Sequence, residues 1–264
     1  MTNPYRPFKA EILSVLPQTG IDFTFRLAAD IKVESGQFVE VSLPGVGEAP
    51  ISVSDFGPGW IEMTIRRVGK LTNVIHTLTP GGSLFIRGPY GKGFPVDRFT
   101  GRDLIIAAGG TGLAPVKSIV RRFYKNTAEL KSLTLLAGFK SPSDVLFRDE
   151  INIWQSCINV QITVDGDDTG EWKGRVGLIT KLISGLPKID VQNTEVIIVG
   201  PPVMMKFASQ EFFKKGIPED RVWVSFERKM CCGLGKCGHC KIDDTYVCLE
   251  GPVFNYTAAA QLTD

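Results

Sequence analysis

The sequence predicts a β barrel, then an α/β domain, then a short C-terminal segment organised by cysteines. Three observations carry this. The first hundred residues alternate short strand-like runs with Gly or Pro turn signals at a spacing of about ten residues. From about residue 100, continuous apolar strands alternate with helix-like segments. Five of the six cysteines then stand inside residues 229–248, "KMCCGLGKCGHCKIDDTYVC".

In the first part, "FKAEILSVLP", "IDFTFRLA", "GQFVEVSLP", "APISVSDFG", "WIEMTIRRVG" and "SLFIRGPYG" read as strands of an antiparallel barrel or sandwich. "KLTNVIHTLTPGG" reads as one short helix ended by Pro-Gly-Gly. In the second part, "RDLIIAAGG", "SLTLLAGFK", "INVQITVDG", "TEVIIVGPP" and "RVWVSFE" read as strands of a parallel sheet. The helices between them are "LAPVKSIVRRFYKN", "DVLFRDEINIWQSC", "GLITKLISGL" and "VMMKFASQEFFKKG". The texture changes near "PVDRFTGRD", residues 95–103, and the last forty residues have little periodicity. The expected partition is 1–98, 99–225 and 226–264.

At 264 residues the chain has room for two ordinary domains, and its 43% hydrophobic and 22% charged residues are those of a soluble globular protein. A net charge of +2, with no basic run, argues against a nucleic-acid partner. The N-terminus lacks the build of a signal peptide, and no apolar run approaches the roughly 20 residues of a membrane span. Cysteines crowded into one loop point to metal chemistry in a reducing cytoplasm.

Two glycine-bearing strand ends point to nucleotide binding. "AAGGTGLAP" (Ala107–Pro115) lies between a strand and a helix, where glycines let the backbone approach a pyrophosphate and a helix start offers free N–H groups. "IIVGPP" (Ile197–Pro202) ends a second strand of the same sheet, and ligands of such sheets bind beyond the carboxyl ends of strands. Taken alone, either is an ordinary tight turn. In the barrel, "APISVS" and "IRRVGKLT" combine a strand Ser with a turn and a helix-start hydroxyl. Together these can hold a flavin ring and its pyrophosphate; separately they are a strand and a helix start.

The cysteines are the sharpest signal. Cys232, Cys237 and Cys240 follow C-x4-C-x2-C, with Cys248 seven residues on, the plant-type spacing for a [2Fe–2S] cluster. Gly233, Gly235 and Gly238 allow the loop to turn its N–H groups toward sulfur. Structural zinc also takes four thiolates but is commonly built from paired C-x2-C knuckles, of which there is one here. Counting from Cys231 gives an unfamiliar x5, so Cys231 is read as a spare thiol facing away from the iron. His239 reads as a solvated loop residue and Cys157 as a small core hydrophobe.

Barrel, parallel domain and loops in this order resemble the ferredoxin–NADP reductase superfamily. "GQFVEVSLPGVGEAPISVSD", "GGTGLAPVK", "VGPPVM", "GKCGHC" and "GPVFNY" narrow the likeness. The chain is similar to the iron–sulfur flavoprotein electron-transfer subunits of dihydroorotate dehydrogenase B, sulfhydrogenase and anaerobic sulfite reductase complexes, most of all the last. The resemblance implies FAD in the barrel domain, held by Pro50, Ile51 and Ser52, by Thr64, Ile65 and Arg66, and by Gly69, Leu71 and Thr72. Ser52 would stand near the flavin ring as the residue closest to the chemistry. It implies NADH at Gly109, Gly110, Thr111, Gly112, Gly200 and Pro201, and a [2Fe–2S] cluster on Cys232, Cys237, Cys240 and Cys248.

Two departures from the family pattern stand out. Ala49 replaces an Arg that usually pairs with the flavin pyrophosphate, which makes Arg66 the nearest replacement, and Val199 replaces a Cys often found before Gly-Pro. Asp165, Asp167 and Asp168 follow the third sheet strand, where carboxylates would repel a 2′-phosphate and favour NADH. The expected role is NADH-oxidising electron transfer to the iron–sulfur and sirohaem subunits of a sulfite reductase in the cytoplasm. Dihydroorotate dehydrogenase or sulfhydrogenase partners are the alternative, and a zinc-stapled nucleotide-binding module is the alternative of another class.

Overall fold

The computed structural model describes residues 3–262. Six antiparallel strands close a barrel: β1 (Phe8–Pro17), β2 (Asp22–Ala28), β3 (Phe38–Leu43), β4 (Gly47–Gly57), β5 (Trp60–Arg66) and β6 (Ser83–Tyr90), in the order β1-β2-β5-β4-β3-β6. Closure leaves no unpaired barrel edge: β1 pairs with β6 from Phe8↔Ile86 to Glu11↔Ser83. The inward residues include Phe25, Leu27, Val39, Val41, Val53, Ile61, Met63 and Ile86, all buried in one core. Helix α1 (Lys70–Ile75) follows β5 and contributes Leu71 and Ile75 to that core.

The second unit is a parallel sheet. Its strands are β7 (Asp103–Gly109), β8 (Ser132–Phe139), β9 (Asn159–Val164), β10 (Arg175–Val176), β11 (Thr194–Val199) and β12 (Val222–Ser225). Helices α2 (Lys117–Lys125), α3 (Arg148–Trp154), α4 (Ile179–Ser184) and α5 (Pro202–Lys214) alternate with them. The order is β10-β9-β8-β7-β11-β12, with β15 (Val253–Asn255) added beyond β12. The chain therefore builds outward from β7 in one direction through β10, then returns beside β7 with β11. Every residue of β11 is buried, as its apolar run requires in a sheet covered on both faces. Its buried Glu195 accepts from Trp223 Nε1 (3.0 Å) and Arg98 Nε (3.1 Å), so the carboxylate is not left without partners.

Helix ends follow local chemistry. Pro202 opens α5, where a missing N–H costs nothing. Gly216, at φ +88°, closes it: Gly216 N–H donates to Phe213 O and Ile217 N–H to Phe212 O, satisfying two terminal carbonyls.

The C-terminal region contains the small hairpin β13 (Lys241–Ile242) and β14 (Thr245–Tyr246), then α6 (Val247–Glu250), β15 and α7 (Tyr256–Ala259). It is not a third compact unit. Residues up to 94 group with 226–253, and residues 95–225 group with 254–261. With so few strands and helices of its own, the region 226–261 is divided between the two larger cores instead of forming another.

The barrel core sets a simple expectation. Ile61→Ala, at a fully buried position, should cost about 2–5 kcal/mol in a denaturant titration. Leu13→Ala, on the exposed face of β1, should stay within about 0.5 kcal/mol. Equal losses at the two positions would contradict the assigned inward face.

Candidate functional site: a cysteine loop, a barrel strand pair and a glycine edge

The cysteine loop is shaped by three glycines in the left-handed region, Gly233 (φ +71°), Gly235 (φ +64°) and Gly238 (φ +80°). At Gly233 a Cβ would meet the Tyr90 ring at 2.7 Å, so both conformation and space require glycine. The turns direct backbone donors at sulfur, as the sequence suggests. Leu234 N–H (3.4 Å) and Lys236 N–H (3.5 Å) point to Cys232 Sγ, and Gly235 N–H (3.1 Å) points to Cys248 Sγ.

The thiols assemble as two pairs: Cys237 with Cys232, and Cys248 with Cys240. Cys240 and Cys248 are buried, whereas Cys237 and Cys231 are exposed. The backbone N–H of His239, foremost among several donors, holds the Cys237 thiol below its ordinary range. Burial pushes Cys248 up to about 12. Among the described residues, no three His, Cys, Asp or Glu side chains converge on a point suited to a single metal ion. The C-x4-C-x2-C spacing, with backbone N–H groups aimed at sulfur, suits a two-iron cluster rather than the paired C-x2-C knuckles usual for zinc. His239 is exposed in the loop, as expected of a solvated residue, whereas Cys157, expected as a small core hydrophobe, is exposed instead.

In the barrel, Pro50, Ile51 and Ser52 lie on β4 opposite Glu40, Val39 and Phe38 of β3. Thr64, Ile65 and Arg66 lie on β5, and Gly69, Leu71 and Thr72 lie at the start of α1. Several of these groups already have protein partners. Thr64 Oγ1 meets Thr24 Oγ1 at 2.9 Å, and Ile65 O meets His76 Nε2 at 2.8 Å. Thr72 Oγ1 accepts from Val68 N–H and Gly69 N–H, both at 3.0 Å, so this hydroxyl caps α1. Arg66 donates through Nε (2.8 Å) and Nη2 (3.0 Å) to the two oxygens of fully buried Asp22. The sequence offered no sign of this partner, which is 44 residues away and reached only through β2–β5 pairing, Asp22↔Arg66.

In the parallel sheet, β7 and β11 pair in register up to Ala108↔Val199. The loops Gly109–Gly112 and Gly200–Pro201 therefore leave one sheet edge side by side, where the strand order reverses. A Cβ on Gly112 would collide with Val199 O, and one on Gly109 would meet Met204 Sδ at 2.6 Å. Bare backbone is thus required on this edge. The helix expected at once after the glycines arrives late: Gly110–Leu113 form a 3-10 turn and α2 begins at Lys117. Beyond β9, Asp167 is occupied within its own loop, accepting from Thr169 N–H, Thr169 Oγ1 and Trp172 N–H. Asp165 is pushed above its ordinary range by burial.

Sequence reasoning missed the charged cluster beside the cysteine loop. Glu40 alternates with the core residues Val39 and Val41, so it faces outward from the barrel, yet it is fully buried. Burial raises its carboxyl to about 7, a shift that nearby Arg87 partly opposes. Glu40 pairs across the sheet with Arg87 on one side and Pro50 on the other. A charged residue inside the apolar run "FVEVSL" was the available signal.

Fold and site together define an oxidoreductase of the ferredoxin-reductase kind. Residues 106–210 match the oxidoreductase NAD-binding domain, and residues 227–259 match the iron–sulfur cluster binding domain of dihydroorotate dehydrogenase B. The chain is 36% identical to sulfhydrogenase 1 subunit gamma of Pyrococcus furiosus, covering 96% of this chain and 92% of the relative. It is 37% identical to sulfhydrogenase 2 subunit gamma of the same organism, covering 96% of each. A probable dihydroorotate dehydrogenase B (NAD(+)) electron transfer subunit of Methanocaldococcus jannaschii is 32% identical over 94% of this chain and 90% of the relative.

Solved structures agree on the fold. A ferredoxin reductase in carbazole 1,9a-dioxygenase matches at TM-score 0.71 and 26% identity, over 82% of this chain and 68% of that one. An NADH-dependent reduced ferredoxin–NADP oxidoreductase matches at TM-score 0.78 and 24% identity, over 96% and 92%. The chain belongs to the family of sulfhydrogenase gamma and dihydroorotate dehydrogenase B electron-transfer subunits, with NADH, FAD and an iron–sulfur cluster as its cofactors.

The doubled cysteine gives a direct check. Cys231→Ala should keep a normal iron–sulfur absorption and EPR signal, whereas Cys232→Ala should lose most of it. The reverse outcome would make Cys231 the ligand.

Proposed function

We propose that this chain is an NADH-oxidising electron-transfer subunit that serves a catalytic partner of the sulfhydrogenase kind. The observation that carries this is the coexistence of a two-pair thiol loop, a flavin-type barrel and a bare-backbone sheet edge in one chain. The sulfite-reducing partner with iron–sulfur and sirohaem subunits, expected from the sequence, gains no support from the relatives. Identities of 36% and 37% to the two sulfhydrogenase subunits favour that partner over the dihydroorotate type at 32%.

When bound, FAD supplies chemistry matched to a two-electron hydride donor, and a [2Fe–2S] cluster supplies one-electron transfer. The chain's residues bind and orient these groups. Cys232 and Cys237 would hold one iron, Cys240 and Cys248 the other. Pro50–Ser52 and Thr64–Arg66 would line the flavin, with Ser52 the half-buried hydroxyl nearest the ring. Because Asp22 already neutralises much of Arg66, this guanidinium would contribute less to a pyrophosphate than an unpaired cation would. Gly109–Gly112 and Gly200–Pro201 would admit the NADH backbone, and no helix of the described residues is long and apolar enough to cross a membrane.

Nucleotide choice rests on Asp165 and Asp168, since Asp167 is spent on its own turn. Carboxylates at this edge disfavour a 2′-phosphate and suit a ribose hydroxyl. In anaerobic stopped-flow with the holoprotein, NADH should bleach the flavin absorbance with kcat/KM at least about tenfold above NADPH. Comparable values for the two nucleotides would remove this assignment.

A further inference from the structure

Arg87 lies on β6, between β1 and β3 in the closed barrel. Its side chain is only 6% exposed, and all five of its N–H donors have acceptors. Nε (3.0 Å) and Nη2 (2.5 Å) grip both oxygens of Glu48. Nη2 also reaches Cys231 O at 2.6 Å, and Nη1 reaches Cys232 O at 2.5 Å and the Tyr90 hydroxyl at 3.2 Å. Tyr90 in turn donates to Pro4 O at 2.7 Å.

Glu48 stands on β4, two residues before Pro50 of the flavin strand. One guanidinium therefore joins the first-ligand stretch of the cysteine loop, 144 residues away in sequence, to the strand that lines the flavin. Burial works against this charge, but the hydrogen bonds that Arg87 donates to Glu48 and Tyr90 outweigh it and keep Arg87 cationic.

We propose that Arg87 is the positioning residue of the cluster loop, holding the backbone of Cys231 and Cys232 to β4 through Glu48 and placing a buried positive charge beside the cluster. The proposal rests on the reading of the four cysteines as cluster ligands. It has an electrostatic consequence that a merely structural role lacks. A two-iron cluster on four thiolates is anionic and gains another negative charge on reduction, so a nearby cation favours the reduced form and a nearby carboxylate opposes it. Arg87→Gln and Glu48→Gln break the same ion pair but remove opposite charges.

The test is an EPR-monitored redox titration of the holoprotein at one fixed pH. At a fixed applied potential, Arg87→Gln should raise the ratio of oxidised to reduced cluster by roughly tenfold, and Glu48→Gln should lower it several-fold. Arg87→Lys keeps the charge but loses the planar fork, so its ratio should stay near that of the unaltered protein. Its loop amides at 231–236 should nonetheless exchange faster with deuterium. If Arg87→Gln fails to retain a cluster, Glu48→Gln and Arg87→Lys decide the matter by the same criteria. Unchanged ratios, or ratios moving in the same direction for both Gln variants, would overturn the proposal. An unaltered protein without an iron–sulfur signal would overturn the cluster reading beneath it, which separates the two failures.

Discussion

Strand β3 is buried on both faces, and this constraint organises the unit that carries the cysteines. Val39 and Val41 fill the barrel, while Phe38 and Glu40 point the other way and must be covered from outside. Residues 226–253 supply the cover. Gly233 packs on Tyr90, Arg87 holds the carbonyls of Cys231 and Cys232, and Lys92 N–H donates to Gly251 O at 2.6 Å. A loop with almost no core of its own is thereby held by a barrel that has one. The outer face of β4, β3 and β6 is also where charge collects, because Glu48, Glu40 and Arg87 lie there on neighbouring strands.

The second unit works by a different rule. Its edge at β7 and β11 is defined by what is missing: side chains. Gly109, Gly112 and Gly200 each face a protein neighbour that a Cβ would strike, so β7, β11 and the start of α5 approach this closely only while these positions are glycine. The thiol loop lies outside that unit, in the stretch 227–259 that matches the iron–sulfur cluster binding domain of dihydroorotate dehydrogenase B.

Much of the fold was legible because strands here carry their signals locally. All six barrel strands coincide with runs set off by turn signals, and the five principal strands of the parallel sheet with continuous apolar runs. The cysteine spacing likewise proposes four ligands without help from the fold. What escaped depends on pairing across distance. Arg66 looks like a free cation in "IRRVG" until β2 brings Asp22 opposite it. Arg87 looks like a strand-end charge until the C-terminal loop returns to it. Asp167 reads as a ribose ligand until Thr169 and Trp172 take both its oxygens. The partner complex is not legible for another reason: the chain's own sites serve NADH, FAD and cluster, and none of those residues reports what accepts the electrons.

We read Cys232, Cys237, Cys240 and Cys248 as the ligands of a two-iron cluster in a flavoprotein subunit. Metal, sulfide and flavin analysis of anaerobically purified protein, with EPR after dithionite reduction, tests it most directly. The account predicts about two irons and two acid-labile sulfides per chain, bound FAD, and an S = 1/2 signal from the reduced cluster. One zinc per chain, no labile sulfide and no signal would contradict it.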